Sequence, residues 1–393
     1  MDNSQNAKPV TVDEPAKTST ANQVSPVLLN LRFTASGAEY FKIWLSNLCL
    51  SLLTLGLYTP WAKCRRMQYL ARHTWLDEHQ FDFRANPWRI LLGRLVILGL
   101  LFLVTWRDYF SKPFVTGLLI LLILATPLLL RSAIRFRLQN TYYRGIPFCF
   151  TGNWQAAMLS YLPLTCYLFV VPLLVLYGYE LNTVTAWQIG IFMVLWPMVL
   201  IYIKRYQHNH ICYGNLTSRF TASMWPVYGY YLLITVIAIT QIVGLSVIWL
   251  IIHTGLGKGK QAFLDEWLGT GQWFHYSIFG LIVIAMWLVY LFIMPFWHAK
   301  MWNHIWSHTE INGQFCQPDY RVKQVFFLML KNSLLTLLSL GFYRPFAVIA
   351  WQRYRISHLA LPAQDWQTAA APVRSLQRGQ DGLVDGLNLD FSW

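Results

Sequence analysis

Charged side chains are scarce in this chain of 393 residues. Only 12% of the residues are Asp, Glu, Lys or Arg, whereas 55% are hydrophobic, and the mean hydropathy is +0.38. Soluble domains carry about 25% charged residues. The deficit excludes an ordinary soluble globular domain and predicts a chain that hides most of its surface in lipid.

Acidic residues are scarcer than basic ones. The chain has 17 Asp and Glu and 31 Lys and Arg, which gives a formal net charge of +14. In a soluble protein this excess would suggest a nucleic-acid partner. In a membrane chain it indicates cationic loops that face anionic lipid. We therefore expect anionic headgroups of membrane lipids as partners, with a homo-oligomer as an open alternative, and no nucleic acid.

The chain also lacks the motifs of common enzyme classes. It has no P-loop, no Gly-x-Ser-x-Gly and no His-Glu-x-x-His. Cysteine is rare, and its six positions lie in or beside apolar runs without metal or redox spacing. These six, expected to be buried free thiols, are Cys49, Cys64, Cys149, Cys166, Cys212 and Cys316. The sequence thus predicts no catalytic residue, no cofactor and no metal.

Long apolar runs are what the chain does have, and a membrane-crossing helix needs about 20 mostly apolar residues. Eight stretches fit: 38–58, 88–106, 114–131, 155–178, 186–203, 225–252, 274–297 and 323–342. Twenty-one of the 31 Lys and Arg residues lie in five polar segments: 61–94, 131–144, 204–219, 298–331 and 344–355. The positive-inside rule predicts that these segments are cytoplasmic.

Polar sequence flanks this apolar region on both sides. Residues 1–30 are rich in Ser, Thr, Asn and Pro, and residues 361–393 are also predominantly polar. We predict two tails around a single repeat-built transmembrane domain at 31–360. The predicted fold class is an all-α polytopic membrane protein with about eight transmembrane helices in internally repeated helical hairpins.

Repetition is the second strong pattern. The pentapeptide RFTAS occurs at 32–36 and again at 219–223, and the related runs FDFRANPW and FCFTGNW lie at 81–88 and 148–154. Alternating aromatic residues followed by a small polar residue predict a short strand that leads into a helix. The predicted N-caps of those helices are Ser36, Asn86, Asn153 and Ser223.

A polar stretch precedes each of three aromatic runs and recurs once more near the end of the chain. Asn or His opens each stretch, Thr or His follows, and Gly or Glu78 stands five positions after the opener. We interpret these stretches as short β-like polar hairpins on the cytoplasmic side. Their repeated polar positions are His73, Thr74, Asn140, Thr141, Asn209, His210, His308 and Thr309.

The first and last copies share a further pattern, LSNLCLSLLTLGLYTPWA at 45–62 and LKNSLLTLLSLGFYRPFA at 330–347. In each, an apolar helix ends at Gly-x-Tyr-x-Pro and a short basic amphipathic helix begins, which is too short to span and is predicted to be an interfacial or half-depth return helix. Its cations are candidates for contact with lipid headgroups: Lys63, Arg65, Arg66, Arg353 and Arg355. The side of the membrane on which the termini lie stays open.

Two sets of polar residues have a functional and a structural interpretation. Asn47 and Asn332 lie in register inside apolar helices, where they would line a substrate path or join helices by hydrogen bonds. The His208-x-His210 pair and the pair His304 and His308 have spacings that a metal could use. Because Asn and His alternate at the opening position, local hydrogen bonding is the favoured interpretation of these histidines.

The chain resembles the YjgN family of bacterial inner-membrane proteins, whose function is unknown. The resemblance rests on RFTASGAEYFKIWLSN, LTLGLYTPWAKCRRMQYL, ANPWRILLGRL, QNTYYRGIPFCFTGNW, RYQHNH and LSLGFYRPFA, in collinear order over roughly 31–360. The family's second Pro-Trp-Ala-Lys is replaced here by Pro345-Phe346-Ala347-Val348. The resemblance implies a polytopic protein of the bacterial inner membrane and no reaction.

Three functions are consistent with these features. A transport-class protein, either a channel or a carrier for an unknown solute, is favoured because internal repeats are common in transporters. A membrane scaffold or lipid-interacting protein that acts through oligomerisation is the alternative. A membrane enzyme that uses the polar residues of the hairpins is the weaker third.

Overall fold

The computed structural model describes residues 28–106, 109–178, 181–255, 272–363 and 366, so most of both predicted tails lies outside the described residues. The helices described are α1 Gly37–Leu53, α2 Thr59–Arg72, α3 Pro87–Thr105, α4 Lys112–Gln139, α5 Trp154–Leu176, α6 Leu181–Asn209, α7 Trp225–Gly255, α8 Gln272–Ser307, α9 Val322–Leu338 and α10 Arg344–Ser357. The strands described are β1 Leu28–Phe33, β2 Thr74–Leu76, β3 His79–Phe83, β4 Thr141–Tyr143, β5 Ile146–Phe150, β6 Ile211–Tyr213, β7 Leu216–Phe220, β8 Thr309–Ile311, β9 Gln314–Phe315, β10 Gln317–Pro318 and β11 Leu359–Pro362.

Four helices in the described residues are long and apolar enough to cross a membrane. They are Pro87–Thr105, Lys112–Gln139, Trp154–Leu174 and Trp225–Val247. The predicted spans 186–203 and 274–297 lie within α6 and α8, and part of each falls on side chains outside the described set. The chain is therefore a largely helical protein with at least four helices of membrane-spanning length.

The predicted spans 38–58 and 323–342 are wrong in extent. Helices α1 and α9 have 17 residues each, about 26 Å at 1.5 Å per residue, and each ends before its predicted limit. Leu55 and Leu340 adopt the left-handed conformation, with φ of 50° at both. The following glycines donate their N–H groups back to Ser51 and Thr336, which closes each helix with a Schellman turn.

Each closed helix is followed by a 14-residue helix that runs back, α2 after α1 and α10 after α9. The two helix pairs, α1 with α2 and α9 with α10, are called the short hairpins below. Their tips are apolar and open, since Leu55 is 95% and Leu340 is 90% exposed. Exposed leucines at the tips of hairpins this short fit contact with lipid rather than with water.

The strands form one sheet instead of the separate β-like hairpins predicted from sequence. Its order is β10-β11-β1-β2-β3-β4-β5-β6-β7-β8-β9 with antiparallel pairing. The two strands at the ends of this order, β9 and β10, are separated along the chain by Cys316 alone. The sheet therefore closes on itself as a small barrel, a form that leaves no long unpaired edge.

The barrel joins both ends of the described chain, because β1 pairs with β11 through Leu28 and Pro362. Both ends consequently lie with the hairpin strands, on one side of the helices. The pairing also extends the ordered region beyond the predicted limits of 31 and 360. Strands of two to six residues show little period-2 alternation, so these ends could not be recognised from local sequence.

Aromatic and aliphatic side chains pack inside the barrel and line an apolar cavity of about 420 Å³ there. Tyr143 and Tyr213 are buried at its centre, where each hydroxyl donates to a strand carbonyl, at 2.9 Å to Leu76 and 3.0 Å to Tyr143 respectively. Trp366 packs against both tyrosine rings and donates its indole N–H to the Pro362 carbonyl at 2.8 Å. A residue assigned to the polar tail thus belongs to the barrel core.

The prediction of six free thiols is wrong for one pair. Cys149 on β5 and Cys212 on β6 stand directly opposite each other and form a disulfide. Pairs that face each other across antiparallel strands come close enough for this bond, but the pairing of β5 with β6 spans 63 residues and is invisible in local spacing. Cys49, Cys64, Cys166 and Cys316 form no disulfide within the described residues. Of these four, Cys316 alone is buried as expected, and Cys49 is exposed.

Trp366→Ala should lower the free energy of unfolding by about 3–5 kcal/mol, because it empties a buried indole site. Trp366→Phe should cost less, since the ring packing is largely kept and one hydrogen bond of about 1 kcal/mol is lost. Denaturant unfolding of both variants in detergent, followed by tyrosine and tryptophan fluorescence, checks the ranking. Equal stability of Trp366→Ala and wild type would show that the residue does not belong to the barrel core.

Candidate functional site

Two cavities lie against the short hairpins. One, of about 620 Å³, is bounded by α1, α2, α3 and the start of α10, and Asn47 and Lys63 line it. The other, of about 730 Å³, is bounded by α9 and α10 with parts of α2 and α8, and Asn332 lines it. Arg66, Arg344 and Val348 line both, so the two spaces are adjacent at these residues. We call the pair the hairpin cavities.

The lining of the hairpin cavities is strongly basic. Four cations belong to it, Lys63, Arg66, Arg94 and Arg344. Among the described residues that line these spaces, none is Asp or Glu. The cations therefore create a positive potential that no carboxylate of the lining offsets.

The arginines differ in how they are held. Arg94 donates to the Thr59 hydroxyl at the start of α2. The Nε of Arg66 is buried and has no hydrogen-bond partner within the described part of the chain. A buried donor without a partner costs roughly 1–3 kcal/mol. A water, an ion or a ligand can supply the missing partner of such a group.

The two asparagines singled out from the sequence lie at corresponding places and are held differently. Asn47 is buried, and its amide oxygen accepts a long bond of 3.4 Å from Arg65. The Oδ1 of Asn332 is buried and has no partner among the described residues. Neither side chain bonds to a polar group on a membrane-length helix in the described structure, and both line a hairpin cavity.

The other predicted headgroup contacts have structural partners. Arg65 also donates to the Tyr58 hydroxyl at 3.3 Å. Arg353 donates to the Ala35 carbonyl at 2.8 Å and so ties α10 to the start of α1. Arg355 lies over the Trp302 ring, with its guanidinium carbon 4.3 Å from the centroid. Of the predicted cations, Lys63 and Arg66 alone line the hairpin cavities.

The openers of the polar stretches make one local contact that recurs. Each opening side chain bonds to the backbone carbonyl four residues earlier, at 2.7–2.9 Å. The opener's own backbone carbonyl accepts an N–H from the residue that follows the neighbouring strand, at 2.9–3.0 Å. The residues concerned are His73, Asn140, His210, His308 and His358. An Asn amide and a His ring can both donate here, which explains their exchange between copies.

The strand pairing shifts the predicted register of the third copy by one residue. His210, rather than Asn209, occupies the opening position, and the Asn209 amide oxygen accepts from the Phe220 N–H at 2.6 Å. The shift arises because the turn of this copy is Gly214-Asn215, whereas two others are Arg144-Gly145 and Asn312-Gly313. The predicted threonines Thr74, Thr141 and Thr309 all donate to the carbonyl four residues earlier at 2.8–2.9 Å.

A buried histidine lies where α6 meets the barrel. His208 is 1% exposed, and its Nδ1 is 3.1 Å from the Thr309 hydroxyl. Burial, with a smaller contribution from the nearby Lys204 ammonium, lowers the pKa of His208 to about 3. His304 contacts the Ser223 carbonyl at 2.9 Å. Within the described residues, the histidines considered for a metal all have polar partners in the protein.

Sequence reasoning missed Arg344 as a site residue. In the shared pattern of the terminal copies, Arg344 stands at the position of Thr59. Each of the two is followed directly by a proline, Pro345 or Pro60. Thr59 is the residue that Arg94 holds, so the two copies contribute to the hairpin cavities from equivalent positions. The exchange of Thr for Arg in an otherwise matched motif was the signal available in the sequence.

The model of a family of bacterial proteins of unknown function, DUF898, matches residues 28–383. The chain belongs to this family. The family's matched region includes β1, β11 and Trp366, and therefore the whole described barrel.

Curated relatives carry the name predicted from sequence. The inner membrane protein YjgN of Salmonella typhimurium is 27% identical over 194 residues, 48% of each chain. Inner membrane proteins YjgN of Escherichia coli O157:H7 and K12 are each 24% identical over 124 residues, 31% of each chain. The alignments thus span half or less of these relatives, and the predicted resemblance to the YjgN family is confirmed. No solved structure matches the chain.

Arg66→Gln should raise stability when no ligand is present, because it removes one of several like charges that lie close together. The expected gain is about 1 kcal/mol or less at low ionic strength, and added salt should shrink it. Arg353→Gln is the matched control and should lower stability, since it breaks the bond to Ala35. Thermal unfolding in neutral detergent at low and high salt measures both; a destabilised Arg66→Gln at low salt contradicts the interpretation.

The folded protein should lose stability as pH falls from about 6.5 towards 3, in part through His208. Its pKa is lowered from 6.5 to about 3 in the folded state, so the unfolded chain takes up this proton first. This contribution is complete above pH 6.5 and is lost as pH approaches 3. His208→Asn, which keeps a partner for Thr309, should flatten the pH dependence of Tm over this range; an unchanged slope would contradict the assignment.

Proposed function

We propose that this chain is a multi-pass protein of the bacterial inner membrane and belongs to the transport class, with a substrate path through the hairpin cavities. The observation that carries the proposal is the pair of cavities itself. They meet at Arg66 and Arg344, and each contains one of the two asparagines that stand in register in the short hairpins. Helices that stop part-way and expose polar groups to a cavity are typical of transporter binding sites.

The names of the YjgN relatives support the inner-membrane location. The excess of Lys and Arg in the segments next to the hairpin strands supports a cytoplasmic barrel. With the barrel on that side, both ends of the described chain are cytoplasmic. The short hairpins then enter the membrane from the cytoplasm and turn back within it at Leu55 and Leu340.

Repetition supports the same proposal. The opening His or Asn makes the same pair of hydrogen bonds at five places around the barrel. We interpret the chain as five helix–strand–strand–helix units, of which one hairpin is shared by the chain ends. The shared unit contains α10 and α1, so the two short hairpins are neighbours, and the cavities lie beside them.

A lipid-interacting scaffold is the second candidate, and the exposed leucines of the hairpin tips favour it. Six leucines of the tips are between 66% and 95% exposed: Leu52, Leu53 and Leu55 of one tip and Leu337, Leu338 and Leu340 of the other. Such tips bury well in lipid, and Arg66 and Arg344 behind them would bind anionic headgroups. A homo-oligomer remains part of this alternative.

Flux through purified protein in liposomes separates the two candidates. Solid-supported membrane electrophysiology on phosphatidylcholine proteoliposomes should record currents with a panel of inorganic anions. Asn47→Leu and Asn332→Leu should each reduce them by about tenfold, which corresponds to roughly one lost hydrogen bond. Thr240→Leu is the control, because its hydroxyl bonds within α7 and lines neither cavity. Absence of any solute current from well-folded protein would overturn the transport proposal.

A further inference from the structure

The described lining of the hairpin cavities contains cationic hydrogen-bond donors and no carboxylate. Arg66 from α2, Arg94 from α3 and Arg344 from α10 line the cavity beside α1 and α2, and Lys63 also lines it. Arg66 and Arg344 line the second cavity as well. In the described structure, no ion pair joins Arg66, Arg94 or Arg344 to a carboxylate. Arg66 and Arg94 are half-buried, whereas Arg344 is exposed. Like charges that lie close together repel one another and cost stability. An anion bound among these cations would therefore offset their mutual repulsion.

The geometry of the donors narrows the class of anion. The cations approach from three helices and hence from several directions. A guanidinium group donates two parallel N–H bonds to the oxygens of a phosphate or a carboxylate. A planar carboxylate offers two oxygens at one edge, whereas a phosphate offers oxygens in a tetrahedral array, which suits donors on several sides. The buried, unpartnered Nε of Arg66 adds a donor that an oxyanion would satisfy.

The rest of the lining is apolar and leads towards the hairpin tips. Leu48, Ile97 and Leu98 line one cavity, and Leu337 and Leu340 line the other. Leu340 is also among the most exposed residues of the chain. The space thus pairs a basic end with an apolar wall that opens outward, and it can accommodate a phosphate that carries an apolar chain as well as a free phosphate.

We infer that Arg66 and Arg344, with Lys63 and Arg94, form a binding site for a phosphate group between the two short hairpins. The inference rests on the proposed function in one respect, since it names the chemical class that would enter the path. The phosphate comes either from an anionic lipid headgroup or from a soluble phosphate compound.

Binding is measured without transport, on the full-length chain. In the soluble arm, inorganic phosphate is titrated into detergent-purified protein, with chloride at equal ionic strength as reference, and Tm and calorimetric heat are followed. In the lipid arm, the protein is placed in nanodiscs of phosphatidylcholine with or without phosphatidylglycerol, and retained lipid is identified by native mass spectrometry. A response in one arm alone identifies the source of the phosphate.

The variants test the named residues. Arg66→Gln combined with Arg344→Gln should weaken the responding probe by about 10- to 100-fold, as expected when charge-assisted hydrogen bonds are lost. Arg344→Lys keeps the charge but not the paired donors, and should weaken binding less than Arg344→Gln. Arg321→Gln is the charge-matched control and should bind as wild type, because Arg321 is exposed and pairs with Asp319.

The outcomes divide cleanly. No response of the wild type to either probe, or equal binding by the double variant, overturns the phosphate site whatever the flux experiment gives. Phosphate binding by protein that carries no current overturns the transport proposal and leaves the site intact. If the double variant does not fold, the wild-type titration and the comparison of Arg344→Lys with Arg344→Gln still decide the question.

Discussion

The pairing of the first strand with the last is the contact on which the rest of the molecule depends. Leu28 to Asn30 of β1 pair with Ala360 to Pro362 of β11, and this closes the sheet. Closure brings α1 against α10 so tightly that a Cβ on Gly37 would lie 2.6 Å from the Phe346 ring. The bond from Arg353 to the Ala35 carbonyl and the stacking of Phe41 on Phe346 secure the same junction.

Closure also decides which helix pairs become neighbours. The pairs at the two ends of the described chain are the short ones, and the helices between them are longer, up to 36 residues in α8. When the ends meet, two short hairpins stand side by side and leave space that long helices would fill. The hairpin cavities occupy that space, so the strand pairing on one side of the molecule creates the basic site among the helices.

Local patterns in the sequence predicted local structure well. The caps at Asn86 and Asn153 are formed, since their side chains accept from backbone N–H groups at 3.0 and 2.8 Å, while Ser36 makes no such bond. The return helices begin near the predicted prolines, because Pro at the first helical turn is favoured by its fixed φ. The family was also recognisable, because its motifs are continuous stretches of sequence.

What the sequence did not predict depends on contacts between distant residues. Closure of the sheet, the Cys149–Cys212 bond and the place of Trp366 all require strand pairings that no local period encodes. Helices α1 and α9 looked longer because leucine continues past their ends, and the reversal is made by leucines at positive φ, where Gly is usual. The sequence predicted the candidate site only in part. It singled out Asn47, Lys63, Arg66 and Asn332, but closure of the sheet is what brings them near Arg344.

The pairing of β1 with β11, strands from opposite ends of the described chain, has a consequence for how the chain folds. Residues that pair across β1 and β11 are more than 300 positions apart. The other strand pairs of the described sheet form within one hairpin or between successive hairpins. Non-local pairings of this kind carry the largest loop-closure entropy and form late. During synthesis the N-terminal strand emerges first and must wait, with one edge unpaired, until nearly all of the chain has been made. We therefore expect the basic site among the helices to form late in folding.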